Sequence, residues 1–87
     1  MRLYLTGLIQ GAFFKLFVKE VAEKNNVMGF VRSLEDGRIE IFIEGDPDNL
    51  RKVIPIMKEG PKHSNIKKVE EQDERVQDFK QFKILHI

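Results

Sequence analysis

Apolar and polar positions alternate with two different periods along the chain, and the changes of period mark its elements. In "RLYLTGL" (2–8), Leu3 and Leu5 fall on one side and Arg2, Tyr4 and Thr6 on the other. That two-residue repeat predicts a strand. Beyond it, Phe14, Phe17, Val18, Val21 and Ala22 recur at three- and four-residue spacing, with Lys15, Lys19, Glu20, Glu23 and Lys24 off the stripe. This is one apolar face of a helix, and Asn25-Asn26 ends it. "VMGFVRSL" (27–34) and "RIEIFIEG" (38–45) return to the strand period, with Ile39, Ile41 and Ile43 opposite Arg38, Glu40, Phe42 and Glu44. The Asp36-Gly37 pair between them predicts a hairpin turn with positive backbone angles.

A second helix is predicted in "DPDNLRKVIPIMKEGP" (46–61), which opens with Asp46-Pro47 and closes with Gly60-Pro61. Pro and Gly at those ends are start and stop signals. Leu50, Val53, Ile54 and Met57 form its stripe; Pro55 conflicts with it, because it removes the bond to the Arg51 carbonyl and predicts a kink or a shortening. "NIKKVEEQDERV" (65–76) is a poor strand signal, and its "EEQDER" run reads as a solvated turn or edge. "FKQFKILHI" (79–87) predicts a closing strand. The order strand, helix, strand, strand, helix, strand, short strand predicts an α+β, ferredoxin-like sandwich. Two helices would cover one face of a mainly antiparallel sheet of four to five strands, in a single domain spanning residues 1–87.

Composition narrows the chemistry. A chain of 87 residues buries roughly 60% of its unfolded surface, so the core is small. There is no cysteine, which excludes disulfides, thiolate ligands and thiol catalysis. The two histidines, His63 and His86, read as loop and strand-surface residues, and no spacing suggests metal ligands. Fifteen basic residues against fourteen acidic ones leave a net charge of +1, which argues against nucleic acid as a partner. The apolar runs are too short to span a membrane, and no leader pattern follows "MRLYLTG". The expected location is the cytoplasm.

The stretch with most chemical content is "TGLIQGAFFKLF" (6–17), where a strand runs through a loop bearing Gly7 and Gly11 into a helix. Backbone N–H groups at such a helix start favour an anion. A glycine-flanked loop alone is a weak functional signal. With this stretch, three separated blocks in order, "GLIQGAFFKLFVKEVA" (7–22), "VMGFVRSLEDGRIEIFIEG" (27–45) and "GPKHSNIKKV" (60–69), resemble the acylphosphatase family over nearly the whole chain. The resemblance implies a ferredoxin-like fold and hydrolysis of the mixed anhydride of a carboxylic acid and phosphate, with no metal or cofactor. It further implies a phosphate-binding loop at Gln10, Gly11, Ala12, Phe13 and Phe14, with acyl phosphate or inorganic phosphate as the small-molecule partner.

The family's first block reads G-x-V-Q-G-V-G-F-R. Gly7, Gln10, Gly11 and Phe14 match it; Ile9 and Ala12 stand where it has valine, Phe13 where it has glycine, and Lys15 where it has arginine. Its second block ends V-R-N, and this chain has Val31-Arg32-Ser33. The resemblance assigns the catalytic positions to Lys15, in place of the arginine that closes on phosphate, and to Ser33, in place of the asparagine that holds the attacking water. Lysine keeps the charge but has no planar fork for two phosphate oxygens. Serine is shorter than asparagine, and displacing the water by about 1 Å costs about 10²-fold. Phe13 either changes the loop or projects over its mouth. Arg32 neighbours Ser33 on a strand and so faces the other side of the sheet; Lys19 is the better second cation.

These substitutions lead to the expectation of an acylphosphatase homologue with little or no turnover and a weak anion-binding loop. An active acylphosphatase working with altered residues is the first alternative. The second is a binding or interaction module using an open sheet face, where Tyr4, Phe30 and Phe42 stand with Glu40 and Glu44. Lys15 and Ser33 also read plainly as an exposed helix lysine and a strand-end serine.

Overall fold

The first alternating run becomes β1 (Arg2–Leu8), and the stripe after it becomes α1 (Gly11–Lys24). Then follow β2 (Met28–Ser33), β3 (Ile39–Glu44), α2 (Pro47–Glu59), β4 (Asn65–Gln72) and β5 (Phe82–Ile84). This computed structural model describes residues 1–86; the expected closing strand (79–87) is realised only at 82–84, and its last residue lies outside the described residues. The sheet order is β4-β1-β3-β2-β5. Pairings are antiparallel except β2 with β5, which is parallel. Two helices on a five-stranded mixed sheet make the ferredoxin-like α+β fold expected from the element order.

The core forms where the periods said it would. Leu3, Leu5, Val31, Ile39, Ile41 and Ile43 from the sheet are buried against Phe14, Val18 and Ala22 of α1 and Val53 and Met57 of α2. α2 starts with the Asp46 carboxylate accepting from the Asp48 N–H at 2.9 Å, and Pro47 follows it. The helix is neither stopped nor shortened by Pro55, which is exposed, as is Arg51. Water can therefore satisfy the carbonyl that loses its partner. In the β2–β3 hairpin only Gly37 has a positive φ (91°). Asp36 instead accepts from the Arg38 N–H at 3.1 Å.

β4 is a full eight-residue edge strand despite its charge. Its pairing with β1 slips by one residue beside Thr6 and Gly7, so Lys67 is extra. The bulge returns Ile66 and Val69, three residues apart, to the core side. That offset hides the two-residue period.

The sheet face away from the helices is closed, which corrects the open-face expectation. β4 and β5 are opposite edges, so the chain between them must cross the whole sheet. Residues 73–81 do so on this face. Phe79 packs on Phe30 and Phe42, with ring centroids 5.7 Å from each. The Glu44 carboxylate accepts from the N–H groups of Gln77 and Phe79, both at 2.6 Å. Arg2 binds Glu74 on this crossing segment and Glu40 below it. Phe42 is fully buried and Glu40 is only 2% exposed. Phe30 and Phe42 are thus covered on that face; of the "EEQDER" run, residues 70–72 belong to the β4 edge, as the edge reading expected, and residues 73–75 open the strap.

Candidate functional site

The site is built where β1 hands over to α1. β1 continues through Gly7 to Leu8 because it is paired with β4 as far as Leu8 with Asn65. Gly7 serves that pairing: a Cβ there would lie 2.1 Å from the Asn65 carbonyl oxygen. Only Ile9 and Gln10 connect the two elements, and α1 is already helical at Gly11. The expected loop at Gln10–Phe14 is thus the helix N-cap and first turn. The reason is local: Ala12 is a strong helix former.

What the first turn presents is a set of free donors. The N-cap, Gln10, is extended and makes no side-chain cap, and no acidic residue stands in the first turn. The Phe14 N–H is already used, donating to the Gln10 carbonyl at 2.9 Å. Those of Gly11, Ala12 and Phe13 have no partner among the described residues. They carry the positive end of a 14-residue helix dipole, equivalent to about half a unit charge.

Ser33 ends β2 beside this turn. A Cβ on Gly11 would lie 3.2 Å from the Ser33 Oγ, so glycine here leaves room for the serine. Lys15 follows Gly11 by one turn on the same helix face. Helical side chains lean toward the N-terminus, which is the direction of the free N–H groups from Lys15. Lys15 is half-buried, has no ion pair among the described residues and borders a hollow of about 250 Å³ with Ala12, Leu16, Ile84 and His86. The two expected catalytic positions, remote in sequence, therefore flank one helix end.

The other named residues divide clearly. Arg32 turns to the strapped face, where it binds Glu40 and stacks 5.8 Å over the Phe30 ring. Lys19 is a turn further from the helix start and lies 3.8 Å from Glu23. Phe13 is 70% exposed and stands on the other side of the helix, away from Gly11. It lines a hollow of about 440 Å³ with Gln10, Pro61, Lys62, His63 and Ser64. The loop 61–64 was not foreseen as part of the site; its signal is "GPKHSN", whose turn closes by the Ser64 N–H donating to the Pro61 carbonyl at 3.1 Å, with His63 at φ 73°.

The strongest charge perturbations lie on the opposite face. Burial raises the Glu40 carboxyl, but hydrogen bonds from Arg32 and Arg2 outweigh it and hold the group below the usual carboxylate range. Arg2 is raised, first by its hydrogen bond to Glu74, against the opposing effect of burial. These pairs anchor the strap and do not touch the helix start.

The sequence model of the acylphosphatase family matches residues 1–84. Acylphosphatase of Pyrobaculum islandicum is 40% identical over 85 residues, covering 95% of this chain and 90% of the relative. Acylphosphatase of Rubrobacter xylanophilus is 38% identical over 74 residues, covering 85% and 67%. Among solved structures, the crystal structure of acylphosphatase from Bacillus subtilis superposes with a TM-score of 0.89 at 28% identity, covering 98% of this chain and 96% of that one.

Proposed function

This chain belongs to the acylphosphatase family, and we propose that it binds acyl phosphates at the N-terminal turn of α1 and hydrolyses them slowly. The reading takes residues 1–87 as one domain. The observation that carries it is the placing of Lys15, Ser33 and three N–H groups without a partner among the described residues at one helix end, with only two residues of connecting loop.

The chemistry asks little of a side chain acting as acid. A water oxygen bonds to phosphorus while the bond from phosphorus to the acyl oxygen breaks. The carboxylate leaves with the electron pair and needs no proton at neutral pH, since carboxylic acids ionise near about pH 4. The water's protons pass to phosphate and solvent. What remains is positioning and charge stabilisation.

Here both are weakened. The N–H groups of Gly11, Ala12 and Phe13 hold an anion at the helix end without wrapping it. Lys15 adds one ammonium, which neutralises charge but does not grip two oxygens in a plane. The loss of one aligned donor costs about 10²–10³ in rate. The Ser33 hydroxyl holds water, but nearer the backbone than a longer amide would hold it. Binding therefore outlasts catalysis.

A second reading, hydrolysis at ordinary enzyme rates, is favoured by the acylphosphatase names of relatives up to 40% identical. Turnover of benzoyl phosphate separates the two. The expected result is slow cleavage by the unsubstituted chain and a rise of at least about 10² in kcat/KM on combining Lys15→Arg with Ser33→Asn. A kcat/KM already within about 10⁴–10⁸ M⁻¹s⁻¹, unimproved by the double substitution, selects the second reading. The variant scaffold is spared because Lys15 and Ser33 are not core residues.

A further inference from the structure

On the strength of the reading above, we infer that the groove between Phe13 and the 61–64 loop receives the acyl group, and that it selects flat, aromatic acyl phosphates over short ones. In-line displacement at phosphorus puts the attacking water and the leaving oxygen on opposite sides. Ser33, the water-side group, stands at the Gly11 face of α1. Phe13 is two residues further on, about 200° around the helix axis. With phosphate seated on the helix end, the acyl oxygen then points toward Phe13. The hollow beside Lys15 and Leu16 lies off to one side, about 40–140° from Gly11.

The groove's walls suit a ring. Phe13 faces Pro61 and His63 across a hollow of about 440 Å³, within the range of about 300–1,000 Å³ usual for small-ligand sites. Phe13 leaves 70% of its surface to solvent, a large apolar exposure that an acyl ring would cover. Lys62, also at this groove, adds positive charge beside the phosphate. Phe13 thus becomes a contact for the leaving group. Stacked or tilted aromatic pairs add to simple burial.

Two non-hydrolysable phosphonates test this without depending on turnover: phenacylphosphonate, which mimics benzoyl phosphate, and acetonylphosphonate, which mimics acetyl phosphate. Calorimetric titration of the unsubstituted chain is expected to favour the phenyl compound by about 10-fold. In Phe13→Ala that ratio should fall to about 3-fold or less, while Leu16→Ala, on the other hollow, should leave it in place. Phe13 is exposed, so the variant keeps its fold. A ratio unchanged in Phe13→Ala, or lost instead in Leu16→Ala, overturns the assignment of the groove. Absence of binding by both phosphonates and by inorganic phosphate in the unsubstituted chain overturns the proposed function itself, and the groove's role with it.

Discussion

Replacing Glu44 with glutamine should loosen the strap that closes the sheet. Glu44 is 6% exposed, and each of its oxygens accepts a backbone N–H of the crossing segment at 2.6 Å, from Gln77 and from Phe79. Glutamine keeps one acceptor and turns an NH₂ group toward the other N–H. One charge-assisted bond becomes an ordinary one, and one N–H loses its partner. Hydrogen bonds to charged groups contribute about 1.5–3 kcal/mol, and an orphaned buried donor costs about 1–3 kcal/mol. The expected destabilisation is about 2–4 kcal/mol, or a fall in Tm of about 10–25 °C for a domain of this length. Urea and thermal unfolding measure it, and hydrogen exchange at Gln77 and Phe79 localises it. Phe79→Ala removes the ring from Phe30 and Phe42, so its effect should be less than additive with Glu44→Gln, both acting on one segment. A Glu44→Gln protein within about 0.5 kcal/mol of the parent, with both amides still protected, would show that the strap is not held this way.

Three further outcomes follow from other parts of the fold. Glu40 is held below the usual carboxylate range against the raising effect of its burial, by Arg32 and Arg2. The stabilisation is complete above the unfolded value of about 4.3 and is lost as pH falls through the lowered one. Urea midpoints below pH 4 should thus drop more steeply for the parent than for Glu40→Gln; equal slopes would dismiss the pairing as a source of acid sensitivity. Gly7→Ala places a methyl 2.1 Å from the Asn65 carbonyl and should cost about 2–4 kcal/mol in urea unfolding. Pro55→Ala restores a donor to the Arg51 carbonyl on an exposed helix face and should stabilise by about 1–3 kcal/mol, read as a higher Tm.

The periodic elements were readable because each needs only a one-sided apolar stripe. Phe14, Val18 and Ala22 are buried where the helical spacing put them, and Ile39, Ile41 and Ile43 where the strand spacing did. β4 was obscured by its bulge, which sets Ile66 and Val69 at an uneven spacing. The closed sheet face was obscured by distance. Glu40, Glu44 and Phe42 alternate with isoleucine as solvent-facing residues do, and only the crossing of 73–81 buries them. At the site, Lys15 and Ser33 were identifiable by resemblance to a family pattern. Two glycines suggested a loop where the chain builds a helix start, because one of them, Gly7, serves strand pairing. The contribution of Pro61 and His63 depends on how α2 ends against α1: a Cβ on Gly60 would lie 2.8 Å from the Phe14 ring. That packing is tertiary; the local pattern "GPKHSN" marks only the turn and not what it packs beside.

The central claim is that an anion sits on the first turn of α1. A ¹H–¹⁵N NMR titration with inorganic phosphate tests it most directly. Saturable shifts are expected at the amides of Gly11, Ala12 and Phe13, weakened in Lys15→Ala, with Gln77 and Phe79 on the far face unmoved. Shifts absent from that turn, or equally strong without the Lys15 ammonium, would contradict it.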